Sequence, residues 1–426
     1  MKHIFFYSAI ISIVLSCTNT KTKHNISQYK DTNYVSSSNK NITNNKPVIF
    51  SIKPDTVYKS IKSNTVNSYS YSIYLPSTSG TGKHPVLALF DPHADGKLPI
   101  EKYKSLAKKF GFVLIASNNS QNGLSGNDYY SILHAFYNDL ITQFSNYIDT
   151  SRMFCGGFSG GGRVASMFAY TYKLPVVISC GAGVSNPQTI KFDFLGFVGN
   201  EDFNFVELYQ LQDFLNKNTN YNHFVEFFNG IHEWPDTNVF ADAFYYLDFY
   251  MMRHNKLEKD NNIISSFINK VNNQISNTKS AWKKANLLNK KIAFLSGLTD
   301  LKEEYKALST LHASNKYKQE IEQLNETLQE EKRLQQAYAS VLLEKPTDWW
   351  KKKISEFDKK IKKSSTQKVL MYKRLKNYLS LAIYMSITHY LKTGNILYAS
   401  QLLDIYKIVD PQNKEIPNLE KEIKQE

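Results

Sequence analysis

From residue 47 to residue 255 the chain alternates short, continuous apolar runs with stretches of helical spacing. Pro85–Phe90 and Phe112–Ala116 are apolar throughout, which is typical of strands buried on both faces of a parallel sheet. Between them, Ile100–Phe110 has the spacing of an amphipathic helix and is followed by Gly111, a residue type that commonly ends helices. Further strands are predicted at Tyr69–Leu75, Met153–Cys155, Val176–Cys180, Phe194–Val198 and Phe224–Phe228, and further helices at Tyr129–Tyr147, Arg163–Tyr172 and Asp236–Met252. This alternation predicts an α/β fold with a mostly parallel sheet covered by helices.

The character of the chain changes in residues 256–426. Gly and Pro become scarce, helix formers dominate, and opposite charges recur at helical spacing. The pattern predicts two long helices, Ile263–Leu298 and Lys302–Leu343, with breaks near Gly297 and Pro346. We therefore expect an all-α accessory domain behind the α/β domain.

Residues 375–415 resemble a single helical pair of the tetratricopeptide type. Leu381–Lys392 and Ile396–Val409 are the two helical segments, Gly394 lies at the turn, and Asp410 precedes a proline at the exit. One repeat cannot bury its own apolar face and needs neighbours. A helical bundle of undefined role therefore remains the alternative.

The N-terminus has the pattern of a lipoprotein signal peptide. Ile4–Leu15 is almost wholly apolar but too short to span a bilayer, as in the core of a signal peptide. Residues 1–17 resemble a signal segment with a lipobox, which implies that Cys17 is the lipidated first residue of the mature protein. Residues 18–46 are rich in Ser, Asn, Thr and Lys and predict a disordered tether. We expect a protein lipid-anchored in a bacterial cell envelope, either periplasmic or surface-facing; the alternative is a plain signal peptide with an incidental cysteine.

The formal net charge of +14 is not concentrated in a binding surface. Lysines are spread along the chain and mixed with acids in its last third, and no basic block is paired with aromatic residues as in a single-strand binder. We therefore expect no nucleic-acid partner. Cys155 and Cys180 fall in strand-like runs without metal-ligand spacing, which predicts buried free thiols, although an oxidising compartment would permit a disulfide. No metal or cofactor is predicted.

The most specific chemical signal is the sequence G-x-S-x-G from Gly157 to Gly161. A short apolar strand precedes it and an amphipathic helix follows. A sharp strand-to-helix turn that presents a serine needs small neighbours on both sides, because larger ones would clash. The pattern therefore predicts Ser159 as a nucleophile. The alternatives are an ordinary glycine-rich turn and a phosphate loop, but the Lys-Ser/Thr pair of the phosphate loop is missing.

A serine is a weak nucleophile at its ordinary pKa and needs a general base with an orienting acid. Asp202 follows the predicted strand Phe194–Val198, and Glu201 beside it is the alternative acid. His232 lies in a loop after the last predicted strand, where a general base would face the serine. A solvated turn acid and a surface histidine remain the alternatives for these two positions.

With Ser159, Asp202 and His232 in this order after successive strands, residues 69–252 resemble the α/β-hydrolase superfamily. The resemblance is to secreted esterases related to polyhydroxybutyrate depolymerases and feruloyl esterases. It implies ester hydrolysis through an acyl-enzyme, with an oxyanion hole formed by the backbone N–H groups of Gly160 and His93. Many members have His-Gly in the second loop; here a proline precedes His93, so the donor is His93 or the next residue.

The substrate pocket is predicted to be open. The connection Gly181–Asp193 is too short for a large lid, and a shallow site suits bulky substrates such as acylated glycans better than long lipid chains. The pocket residues expected from the sequence are Phe158, Phe203 and Trp234 as apolar walls and Asn118 and Asn119 at a strand end.

These features favour a lipid-anchored serine hydrolase that cleaves carboxylic esters of a small molecule or glycan. A serine peptidase of the same fold would use the same triad. A protein of a different class, an inactive surface protein that binds a partner through its helices, is the third interpretation.

Overall fold

The structure, a computed structural model, describes residues 52–77 and 82–425. The predicted signal segment, Cys17 and the predicted tether at 18–46 lie outside the described residues. Within the described part, no helix is both long enough and apolar enough to cross a membrane.

One eight-stranded sheet organises the first half of the described chain. Its strands lie in the order β1-β2-β4-β3-β5-β6-β7-β8, and only β2 runs against the others. This confirms the predicted mostly parallel sheet. The strands are β1 (Val57–Lys62), β2 (Ser70–Tyr74), β3 (His84–Phe90), β4 (Val113–Ser117), β5 (Ile148–Phe158), β6 (Val176–Cys180), β7 (Asp193–Gly199) and β8 (His223–Phe228).

Five helices alternate with the strands, and eight follow them in the described residues. The first five are α1 (Lys97–Phe110), α2 (Gly126–Ile141), α3 (Gly160–Tyr172), α4 (Phe205–Asn218) and α5 (Thr237–Arg253). The later ones are α6 (Asn261–Asn277), α7 (Ala281–Leu295), α8 (Lys302–Ala313), α9 (Asn315–Ala339), α10 (Thr347–Lys363), α11 (Thr366–Lys392), α12 (Ile396–Val409) and α13 (Ile416–Gln425). The helical second half is as predicted.

Each face of the sheet carries its own apolar core, because successive side chains of a strand point to opposite faces. Val86 and Ala88 of β3 pack with α2, α3 and α4 in one core. Leu87 and Leu89 pack with α1 and α5 in the other. Every residue of β4 and β6 is buried, which explains why the central strands are continuous apolar runs in the sequence.

The later helices extend these cores and build a third one. Phe267 of α6 and Phe294 of α7 belong to the core under α1 and α5, while α10, α11 and α12 enclose a separate cluster around Trp350 and Leu375. The described residues, 52–77 and 82–425, belong to one compact unit. The boundary predicted between residues 255 and 256 stays a prediction.

The two long helices predicted at Ile263–Leu298 and Lys302–Leu343 are wrong in detail, because each is divided by a capping serine. The Ser280 hydroxyl accepts the backbone N–H of Lys283 and starts α7. The Ser314 hydroxyl starts α9 in the same way. A serine in extended backbone satisfies an amide that has no partner at a helix N-terminus, so it favours a new start over a continuous helix.

The two cysteines and the last helical pair are also predicted from the sequence. Cys155 and Cys180 are both buried and free, as expected. The helices α11 and α12 are joined by a short turn in which Gly394 has φ +69°, and they pack against each other. The likeness of this pair to a tetratricopeptide repeat stays a prediction.

Asp248 on α5 provides a test of this packing. Its carboxyl group is buried, and burial together with the nearby charge of Asp260 raises its pKa to about 8. The unfolded chain releases this proton at about pH 4, so the free energy of unfolding falls as the pH rises from about 4 to 8. Asp248→Asn stays neutral and should be more stable than the wild type at pH 8 by about 2 kcal/mol or more, with a smaller gain at pH 4. Thermal unfolding at both pH values checks this, and an equal difference at the two would contradict it.

Candidate active site

Ser159 lies at the sharp turn between β5 and α3. Its backbone has φ 51° and ψ −124°, a conformation that non-glycine residues adopt only where the surroundings enforce it. A side chain on Gly157 would collide with the backbone of Gly161, and one on Gly161 would collide with the carbonyl of Phe90. The glycines of the motif are therefore required for the close approach of α3 to β3 and β5, the arrangement of a nucleophile elbow.

Ser159, His232 and Asp202 form one hydrogen-bonded chain. Ser159 Oγ is 3.0 Å from His232 Nε2, and His232 Nδ1 is 2.9 Å from Asp202 Oδ1. An ionised carboxylate only accepts hydrogen bonds, so Nδ1 carries the imidazole proton and Nε2 is free to accept from the serine hydroxyl. Asp202 is 1% exposed, which keeps water from competing for its bond to the ring. The structure thus brings together the three residues that the sequence selects.

The loop after β7 fixes the orientation of Asp202. The backbone N–H of Asn204 donates to Asp202 Oδ1 over 2.8 Å, and the Asn204 side chain donates to Gly181 O over 2.6 Å. Gly181 has φ +64°, and a Cβ there would lie 3.0 Å from Asp202 Oδ2 and 3.1 Å from the His232 ring. Glu201, the alternative acid, instead forms an ion pair with Lys373.

Two of the three aromatic residues predicted to line the pocket pack against the imidazole, and the third packs behind one of them. The ring of Phe158 lies 4.7 Å from that of His232, and the ring of Phe203 lies 4.2 Å from it. Trp234 packs against Phe158 at 5.8 Å and donates from Nε1 to the buried Asp91. These side chains form an apolar wall on the side of the general base.

The two backbone N–H groups predicted to form the oxyanion hole differ in their hydrogen bonding. Gly160 is the first residue of α3, so its N–H is one of the amides at the helix N-terminus that have no partner within the helix. The N–H of His93, by contrast, donates to Asp91 Oδ1 over 2.9 Å, and that of Ala94 donates to Asp91 O over 3.2 Å. In this structure the His93 amide thus already donates to the buried carboxylate of Asp91, and its role in the oxyanion hole stays a prediction.

The pocket prediction for Asn118 and Asn119 is not supported by their partners. The Asn118 amide bonds to Lys59 O and to Ser70 Oγ, and Asn119 Oδ1 accepts from the Ser70 N–H. Both side chains thus tie the end of β4 to the first two strands.

Asn122, which is not among the residues predicted for the site, is the asparagine that lies beside the nucleophile turn. Its side-chain amide is so close to Gly160 that a Cβ on that glycine would collide with it. The backbone N–H of Asn122 donates to Pro92 O over 2.8 Å, which fixes the loop beside the turn. The available signal was an Asn-Gly turn after a buried strand, but nothing local indicated that it would reach this turn.

The connection from β6 to β7 is short, as expected. Its one helical element is a single 3-10 turn at Pro187–Thr189. Glu207 of α4 accepts the Gly183 N–H over 3.1 Å and pairs with Arg163 of α3 over 2.8 Å, which anchors the connection. Among the residues that the structure describes, no group of three or more His, Cys, Asp or Glu side chains is placed to hold a metal ion.

Several solved structures are similar to part of this chain. No protein-family model matches the chain, and no curated sequence is similar to it. The fluorophosphonate-binding serine hydrolase F of Staphylococcus aureus is similar over 45% of this chain and 96% of its own, with 16% identity and a TM-score of 0.36. An esterase of Pyrobaculum calidifontis is similar over 44% and 80%, with 11% identity and a TM-score of 0.36. An S-formylglutathione hydrolase of Agrobacterium tumefaciens is similar over 47% and 92%, with 18% identity and a TM-score of 0.33.

Proposed function

We propose that the protein is a serine hydrolase that cleaves carboxylic esters through an acyl-enzyme intermediate. The observation that carries the proposal is the chain of hydrogen bonds from Ser159 through His232 to the buried Asp202, with the serine on a strained, glycine-flanked turn. Such a turn costs free energy and persists where the function requires an exposed nucleophile.

The reaction follows from the proton positions. Ser159 Oγ attacks the ester carbonyl carbon while its proton moves to His232 Nε2, and a tetrahedral oxyanion forms. When this intermediate collapses, the carbon–oxygen bond to the alcohol breaks and His232 returns the proton to the departing oxygen. Water then repeats the sequence on the acyl-enzyme and releases the acid. Asp202 keeps the ring in the correct tautomer and stabilises the imidazolium that forms in each half.

The oxyanion requires donors aimed at the carbonyl oxygen as it becomes negative. The Gly160 N–H is one of them, and the positive end of the α3 dipole lies beside it. With the amides of His93 and Ala94 already engaged, the remaining group beside Gly160 is the side chain of Asn122. Its oxygen Oδ1 is the atom nearer to Gly160, so Asn122 would act as the second donor once its amide is rotated to present Nδ2.

The short β6–β7 connection and the aromatic wall favour short acyl groups on bulky alcohols, such as acylated glycans. We expect kcat/KM for soluble esters to show no rise from acetyl and butyryl groups to acyl chains of ten or more carbons, because a shallow site buries little of the added apolar surface. A panel of nitrophenyl esters of increasing length tests this, with peptide amides as the comparison. A preference for long chains would contradict the open site, and faster cleavage of peptides would indicate a peptidase instead.

The location of the enzyme is part of the proposal. A lipid on Cys17 would anchor it to a bacterial membrane, with residues 18–46 as a tether long enough to let the domain reach substrates beyond the surface. The lipobox-like pattern around Cys17 supports this location.

A further inference from the structure

Helix α11 of the C-terminal helical region lies against the loop that carries Asp202. Three side chains of one helical turn bond to this loop. Lys373 Nζ is 2.8 Å from Glu201 Oε1, Arg374 Nη1 donates to Asn200 O over 2.9 Å, and Asn377 Nδ2 donates to Glu201 O over 2.8 Å. The two residues immediately before the acid are thus held by groups more than 170 positions later in the chain.

A buried ion pair fixes α11 in this position. Arg374 is 3% exposed in its side chain and Glu331 of α9 is 0% exposed, and the guanidinium donates to both carboxylate oxygens. The same guanidinium lies 4.5 Å from the ring centre of Phe205, at the start of α4. Movement of α11 away from α9 would leave one of these buried charges without its partner, which is strongly unfavourable.

The loop also links the helical region to the general base. Phe203 packs against the apolar cluster of α10, α11 and α12, and its ring lies 4.2 Å from that of His232. The backbone N–H groups of Asn200 and Glu201 donate to Phe228 O and Gly230 O, in the segment leading to His232. Movement of α11 would therefore be transmitted to both the acid and the base.

We propose that α11 is a positioning element of the active site, in which Lys373 and Asn377 hold the acid loop so that Asp202 stays bonded to His232. The inference rests on the proposed function. It assigns a role to the C-terminal helices that needs no separate partner: they complete the hydrolase site. Lys373, Arg374 and Asn377 do not touch the reacting atoms, so they act through Asp202 and Phe203.

The test uses the full-length protein and a double variant, Lys373→Ala with Asn377→Ala. Lys376→Ala is the matched control, because Lys376 lies on the same helix and pairs with Asp358 of α10 over 3.0 Å, away from the acid loop. Arg374 is left in place, since its loss would leave the buried carboxylate of Glu331 without a partner. Tm, kcat and KM for a short nitrophenyl ester, and the rate of labelling by a fluorophosphonate probe, are measured for each protein.

We expect kcat and the labelling rate of the double variant to fall about 10- to 100-fold, because small misplacement of a catalytic group has effects of this size. KM should change less than about twofold and Tm should match that of the control, because the substrate contacts and buried packing remain. Lys373→Arg alone keeps a positive charge to pair with Glu201, so this variant should have most of the wild-type kcat and labelling rate. If the double variant unfolds, Asn377→Ala alone replaces it and is expected to lower kcat and the labelling rate more than Lys376→Ala does, by less than the double variant's fall of about 10- to 100-fold; equal rates for Asn377→Ala and Lys376→Ala would overturn the positioning role.

The outcomes separate the two proposals. The positioning role alone would be overturned if the wild type is labelled and the double variant has the same kcat and labelling rate as the wild type. It would also be overturned if the double variant loses no more of either rate than Lys376→Ala does. A folded wild type that is neither labelled nor active would overturn the proposed function and the positioning role with it.

Discussion

Ser159→Ala is expected to lower kcat for short esters by about 10⁴-fold or more, because no other group in the site can form the acyl-enzyme. Within the described residues, the hydrogen-bond partner of the Ser159 hydroxyl is His232. The free energy of unfolding should therefore stay within about 1 kcal/mol of the wild type. Steady-state kinetics with nitrophenyl acetate, together with thermal unfolding, check the two parts of this expectation.

Ser166→Ala is a matched control for that variant. Ser166 lies on α3, the helix that follows the nucleophile, and its buried hydroxyl donates to Gly162 O over 3.1 Å. Its loss removes one hydrogen bond within the helix and leaves Ser159 and His232 in place. We expect nearly full activity with a modest fall in Tm. A Ser159→Ala protein as active as Ser166→Ala would show that another group is the nucleophile.

Asp202→Asn is expected to lower kcat by about 10³- to 10⁴-fold with the fold intact. The amide of asparagine is similar in size to the carboxylate, but its NH₂ group can donate to His232 Nδ1. That contact favours the tautomer with the proton on Nε2, and this nitrogen then has no lone pair for the proton of Ser159. The measurement is kcat for the same ester at neutral pH, with the circular dichroism spectrum as evidence of folding.

Glu201→Gln distinguishes the two neighbouring acids. Its carboxylate pairs with Lys373 of α11 and not with His232, so we expect a fall in kcat of less than about tenfold. A larger effect for Glu201→Gln than for Asp202→Asn would reverse the assignment of the acid.

The parts of the site that follow strands could be predicted from the sequence. The strands of this sheet end in apolar runs, so the ends of β5, β7 and β8 are visible as the places where such runs stop, although β8 is an edge strand. In a parallel sheet these ends meet at one edge, which is why Ser159, Asp202 and His232 could be expected to lie together. The capping roles of Ser280 and Ser314 were also local, and a division of the two long helices could have been predicted from them.

The remaining features depend on contacts between distant parts of the chain. The N–H of His93 is engaged because Asp91 is buried, and Asp91 is held by Trp234, 143 residues later. The approach of Asn122 to Gly160 depends on how two loops pack. Helical periodicity shows which face of α11 is apolar. It does not show that Asn377, a polar residue of the same helix, bonds to Glu201.

The most direct test of the central claim is labelling of the purified full-length protein with a fluorophosphonate probe, followed by identification of the modified residue by mass spectrometry. Such a probe reacts with a serine activated by a neighbouring base. The site geometry predicts rapid modification of Ser159, lost in Ser159→Ala and strongly slowed in His232→Ala. A folded wild type that is not labelled, or a label on a different serine, would contradict the assignment of this site as that of a serine hydrolase.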